Sequence, residues 1–177
     1  TIATLLITPT KRSEIAIGKI TSLAITGLVS ALISFLGLIL SLPKLMGSDT
    51  ISLSAYNFTS VIAIFGIIVV TVLLFTTILT LVSTYAKSVK EATSYSTPIM
   101  IIVMLIGLSN FMTNQSTTNS LLYLIPIYNS IQSLIEVFSL TINPLNYFIT
   151  IISNIIYIFI GVYILTRMFN DEKIMFN

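Results

Sequence analysis

Leu121–Ile142 reads LLYLIPIYNSIQSLIEVFSLTI, and whether it crosses a membrane decides the topology of the whole chain. Its length suffices, since about 20 apolar residues cross a bilayer core as a helix. Its composition argues otherwise, because Pro126, Asn129, Gln132, Ser133, Glu136 and Ser139 interrupt it. The last five recur at spacings of three and four, which places them on one face of a helix. Such a stripe fits an amphipathic helix lying in the outer interface, or one that dips in and returns.

The surrounding chain is membrane solvent. Of 177 residues, 55% are hydrophobic and 8% charged, with a mean hydropathy of +1.04. Soluble domains carry roughly a quarter charged residues, so the composition calls for an all-α integral membrane protein. A net charge of +2 is too small and too scattered for nucleic acid binding. The absence of Cys and His excludes disulfides, thiol nucleophiles and imidazole acid–base chemistry. The apolar run after Lys19 is too long for the core of a cleavable signal and has no small-residue cleavage site. A start at Thr1 without Met reads as a fragment of a longer polypeptide.

Four segments have the length and apolarity to span: residues 20–42, 61–83, 92–112 and 147–165. The third is short unless it takes in Ala92–Thr97. Thr97 followed by Pro98 reads as an N-cap and first-turn pair, which would begin that helix afresh. Basic residues favour the cytoplasmic side. With four spans and both ends cytoplasmic, Lys11, Arg12, Lys19, Lys87, Lys90, Arg167 and Lys173 lie inside and Lys44 alone lies outside, seven against one. Were 121–142 a fifth span, Arg167 and Lys173 would move outside and the split would fall to five against three. Charge therefore selects four spans, with 121–142 re-entrant or interfacial.

Little in the spans suggests chemistry. None has an acid or base in its middle, and the phosphate-binding pattern Gly-x-x-x-x-Gly-Lys is missing, so this chain does not hydrolyse ATP by that route. Proton relays and carboxylate ion sites usually announce themselves by intramembrane charge. Gly18, Ser22, Thr26, Ser30 and Ser34 recur every fourth residue in the first span, and Thr76, Thr80 and Thr84 do so in the second. Close helix packing through small side chains accounts for both rows, with a hydroxyl-lined path as the alternative. In the last span Asn154, Tyr157 and Gly161 share a face, and Asn154 at membrane depth needs a partner, which makes it glue between helices. Glu136 reads as a solvated residue on a polar face, with attraction of cations at the outer mouth as the alternative. Pro126 starts or kinks that helix. Lys87, Lys90 and Glu91 on the short inner connection are topogenic charge or a contact with a cytoplasmic partner.

The first nineteen residues have the form of a cytoplasmic elbow. Leu5, Leu6 and Ile7 make an apolar knot, Pro9 breaks it, and Lys11, Arg12 and Lys19 hold the segment at the membrane surface. The pattern Leu5-Leu6-x-Thr8-Pro9-x-x-Arg12-x-Glu14-Ile15-x-x-Gly18-Lys19, followed directly by a span, resembles the type-2 permeases of ATP-binding cassette (ABC) transporters. Ala86-Lys87-Ser88-x-Lys90-Glu91-Ala92 is similar to that family's later inner connection, and Pro126-x-x-Asn129 to its re-entrant region before the last span. Arg167-x-Phe169-x-x-Glu172-Lys173 looks like its cytoplasmic tail. In wording the opening segment most resembles the sodium-efflux branch.

The resemblance implies a permease subunit without catalysis of its own, in an exporter of an ion such as sodium, a drug or a peptide. ATP and Mg would sit on a separate ATPase subunit, and a second permease chain would complete the path. Leu5, Leu6, Thr8, Pro9, Arg12, Glu14, Gly18 and Lys19 would form the coupling helix, Lys87, Lys90 and Glu91 a second contact, and Pro126, Asn129 and Glu136 the re-entrant segment. The family's two earlier spans are absent from this sequence. A self-powered carrier or channel fragment, or a non-transporting membrane scaffold, are the alternatives from other classes. The orientation has a direct readout: in intact cells an amine reagent that cannot cross the bilayer should modify Lys44 and leave Lys11, Lys19, Lys87 and Lys90 untouched. Labelling of Lys11 or Lys19 from outside would invert the scheme.

Overall fold

A computed structural model describes residues 12–45, 58–113, 120–139 and 141–170, and these are helical with no strand among them. Helix α1 runs Arg12–Leu45, α2 Phe58–Tyr85 and α3 Val89–Thr113. A 3-10 helix follows at Ser120–Leu124, then α4 at Tyr128–Phe138 and α5 at Pro144–Asn170. Four of these, α1, α2, α3 and α5, are long and apolar enough to cross a membrane, whereas α4 is not. Among the described residues the chain is thus all-α with four helices fit to span a membrane, and Ser120–Leu124 and Tyr128–Phe138 form a 3-10 turn and a short helix rather than a fifth.

The elements are longer than the apolar runs that predict them. The 34 residues of α1 extend about 51 Å at 1.5 Å per residue, against a hydrocarbon core of about 30 Å. Arg12–Lys19 is therefore the start of one unbroken helix, with no joint at Lys19. Leu5, Leu6, Thr8 and Pro9 lie outside the described residues. At the start of α5, the Asn143 side chain accepts the Leu145 backbone N–H at 3.1 Å, and Pro144 takes the first helical position, where its missing N–H costs nothing. That cap sets the helix start three residues before Tyr147.

Pro98 does not begin a new helix, contrary to the expectation from Thr97-Pro98: α3 carries it internally. The Thr97 hydroxyl is already committed, donating to the Thr93 carbonyl at 2.8 Å. Ser96 and Ser94 bond back one turn in the same way, to Ala92 O at 2.8 Å and Lys90 O at 3.0 Å. These hydroxyls follow the helix instead of capping it. The real N-cap lies earlier, at Ser88.

Helix α2 is apolar all round, which is the signature of a central helix, and it packs against α1, α3, α4 and α5. Its Ala63, Ile64, Ile67 and Ile68 meet Ala31 of α1 and Val137 of α4 in the main core, with Phe35, Leu134, Phe138 and Ile151 around them. Toward the end that carries Lys87 and Arg167, Leu165 of α5 closes on Ile20 and Leu81. No residue in the apolar window of α3 is buried.

Two glycines let helices cross against a threonine of α2. A Cβ at Gly27 would lie 2.8 Å from Thr76 Oγ1, and one at Gly161 would lie 2.5 Å from Thr77 Cγ2. Both threonines are β-branched and held by bonds from their hydroxyls to Val72 O and Leu73 O, at 2.7 and 2.8 Å, so neither side chain yields easily. Gly161→Val should therefore force α5 off α2 and destabilise the fold by about 1–3 kcal/mol. Gly37→Val, where nothing lies within 4 Å, should not. Unfolding of the two variants in detergent, side by side, checks this.

Candidate functional site

The polar face of α4 does not look outward. Asn129, Ser130, Gln132, Ser133 and Glu136 are all buried, and opposite them on α5 lie the equally buried Asn146, Thr150, Ser153 and Asn154. The two rows form a hydrogen-bonded seam. Asn129 Nδ2 donates to Ser153 Oγ at 2.8 Å and to Asn154 Oδ1 at 2.9 Å. Asn154 Nδ2 donates to Ser130 Oγ at 2.9 Å, and Ser130 Oγ donates to Asn129 Oδ1 at 3.2 Å, closing a ring of three side chains. One turn further, the Ser133 and Thr150 hydroxyls are 2.7 Å apart. The 3-10 helix joins in, as Ser153 Oγ donates to Tyr123 O at 3.3 Å and Tyr157 OH to Leu124 O at 3.1 Å.

This corrects the reading of Glu136 as a solvated residue. It is 6% exposed, and its Oε1 accepts from the Tyr123 hydroxyl and, at 3.5 Å, from Asn146 Nδ2. The physical reason is that the last span carries a polar row of its own, at 146, 150, 153, 154 and 157, which satisfies the α4 face better than an interface would. That row was visible in the sequence as spacings of four, three and four. Its length from Asn146 to Asn154 is the signal that would have found Asn146, Thr150 and Ser153. Tyr123 had no such signal.

Pro126 enters the seam through strain. It precedes Ile127, whose φ of 74° and ψ of −55° are unusual for a β-branched residue. Ile127 stands at the N-cap of α4 and offers no side-chain cap, yet its carbonyl accepts the Ile131 N–H at 3.1 Å. The sharp corner aims Asn129 at α5.

A second feature joins the two hydroxyl rows. Thr26 and Ser30 of α1 and Thr76, Thr80 and Ser83 of α2 share an open groove of about 480 Å³, with Leu23, Val72 and Leu79 among its apolar walls. The α1 row does not pack inside the chain: Ser22, Thr26, Ser30 and Ser34 are exposed, whereas Gly27 and Ala31 beside them are buried. The threonine hydroxyls donate to their own helices, Thr26 to Leu23 O at 2.9 Å, Thr76 to Val72 O at 2.7 Å and Thr80 to Thr76 O at 2.6 Å. On these threonines, oxygen lone pairs rather than protons face the groove.

The turn between α2 and α3 brings Lys87, Lys90 and Glu91 together. Ser88 Oγ accepts the Glu91 N–H at 3.2 Å while Glu91 Oε2 reaches back to the Lys87 N–H at 2.9 Å, a variant of the capping box. Glu91 Oε1 also accepts from Tyr95 OH at 2.8 Å. Arg12, Glu14, Gly18 and Lys19 stand on the first two turns of α1, and a Cβ on Gly18 would meet nothing within 4 Å. Among the described residues, no group of three or more Asp or Glu could hold a metal ion.

Four apolar spans, a buried polar seam and an open hydroxyl groove define a multi-pass membrane protein. The particular family follows from the sequence: residues 1–169 match the model of the ABC-2 family transporter proteins, and the chain belongs to that family. It is a membrane permease of the ABC transporters, a family whose permeases are as a rule not catalytic themselves and work with an ATPase partner. The match is to the family as a whole and singles out no sodium-efflux branch. No curated protein and no solved structure matches the chain.

The seam makes a quantitative claim. A single hydrogen bond between membrane helices is worth about 0.6 kcal/mol, but stranding a buried amide costs about 1–3 kcal/mol. Asn154→Leu and Asn129→Leu should each destabilise by the larger amount, and the double variant by clearly less than their sum. A double-mutant cycle on unfolding in detergent measures the coupling, and strict additivity would show that the two side chains ignore each other.

Proposed function

We propose that this chain is the membrane half of an ATP-driven exporter, coupled through its basic end to a separate ATPase subunit that carries ATP and Mg. The observation that carries the reading is the family match over residues 1–169. The elbow supplies the handle: Leu5, Leu6 and Ile7 fill a pocket on the motor while Arg12 and Glu14 set register. Because α1 is unbroken from Arg12 to Leu45, a push on its first turns is delivered to the span without a joint to absorb it. The motor can shift the permease between states only by contacting them unequally. Lys87, Lys90 and Glu91, on a turn stiffened by the Ser88 cap, form the second contact. Both ends of the chain face the cytosol in this reading, following the basic residues.

A second permease chain completes the path. The α1–α2 groove opens on the outside of this chain and cannot enclose a cargo alone. Its hydroxyl oxygens suit an ion such as sodium or the polar groups of a drug or peptide. The alternative of a self-powered carrier is disfavoured by span interiors without acid or base.

Replacing Leu6 and Arg12 together by Ala should leave the spans folded and the ATPase able to hydrolyse ATP, but abolish export and its stimulation of hydrolysis. Reconstituted with the ATPase, the double variant should therefore lose coupled transport. Unchanged transport would remove the elbow from the mechanism.

A further inference from the structure

The end of the seam nearest Asn143 has more acceptors than donors. Glu136 is buried, and among the described residues the two side chains that reach its carboxylate, Tyr123 and Asn146, are neutral. They also reach the same oxygen, Oε1. Asn146 is 4% exposed, and its Oδ1 has no hydrogen-bond partner. One carboxylate and one stranded amide oxygen thus sit on groups that already touch, in a place where uncompensated charge is costly. The basic residues whose side chains are described, Lys87, Lys90 and Arg167, belong to the opposite end of the bundle.

We propose that a monovalent inorganic cation, Na⁺ or K⁺, binds between the Glu136 carboxylate and Asn146 Oδ1, beside the Tyr123 hydroxyl. All the donor atoms are oxygens, which suits a hard cation. A single carboxylate among neutral ligands balances one positive charge, whereas divalent sites recruit several charged or bidentate groups. A proton on Glu136 would remove the charge but satisfies Asn146 only if the carboxyl turns to it. A cation accepts from both oxygens at once. Its place ties the last turn of α4 to the first turn of α5, and so latches the outer end of the seam. This site is separate from the α1–α2 groove, and it stands whatever the motor and the cargo are.

The test uses the full-length permease with its ATPase partner in detergent, and follows thermal unfolding at fixed pH and ionic strength. NaCl or KCl is exchanged for N-methylglucamine chloride. The unfolding temperature should rise saturably with one or both cations, and the two titrations separate Na⁺ from K⁺. Glu136→Gln, a near-isostere, should abolish the rise. Asn146→Ala should move half-saturation by about tenfold or more. Asn146→Asp places a second carboxylate at the site and should confer a response to CaCl₂ that the native protein lacks. Equal stability of the native protein in all three salts, with no calcium response in Asn146→Asp, overturns the proposal. So does a cation effect that survives Glu136→Gln.

Discussion

A primary amide buried among hydrocarbon must be bonded, because lipid offers it nothing. The reciprocal bonding of Asn129, Asn154 and Ser130 therefore fixes more than one contact. It fixes the rotation of α4 about its own axis. Successive residues of a helix are turned by about 100°, so a slip of one position would carry Asn129 out of reach of α5. With the polar face held against α5, the other face is held against α2, and Leu134, Val137 and Phe138 enter the main core. The seam and the core are two sides of one constraint. The strained Ile127 corner is tolerated because both sides of α4 are tied down.

The same bookkeeping of polar groups explains why the hydroxyl rows of α1 and α2 behave differently from the seam. Asn cannot satisfy its amide oxygen on its own helix, whose N–H groups are already engaged, and must find a neighbour. Thr can, and Thr76, Thr77, Thr80 and Thr84 all do. Their helix needs no partner to hide them, which leaves α2 free to be central and leaves the groove beside Thr76 and Thr80 open. Residues that are self-satisfied need no neighbouring helix, whereas residues that demand a partner tie helices together.

Much of this was legible in the sequence, and the parts that were not share a cause. The number of spans could be read because apolar length is a property of one segment. The Asn129–Glu136 stripe could be read as one helical face for the same reason. Which way that face points depends on a second segment, and the matching row in α5 is diluted by Ile and Tyr between Asn146 and Tyr157. The small-residue row of α1 misled in a related way: spacing identified a narrow face, but Gly27 and Ala31, one position along from Thr26 and Ser30, make the actual contact. At Pro98 a local rule lost to local competition, since the Thr97 hydroxyl had a carbonyl one turn back. The elbow positions before Arg12 fall outside the described residues, and their role remains part of the proposed reading.

The distribution of burial sets what can be moved at small cost. Displacing α5 would break the seam, the Gly161 crossing and the cluster around Leu165 together. Displacing α3 would uncover no buried residue of its span, because none is buried. What fixes α3 is its root, where the Ser88 and Glu91 bonds hold the turn, and its contacts with α2 and α4. The Ser88 turn and the start of α1 lie at the same basic end of the bundle, while the polar seam lies at the other.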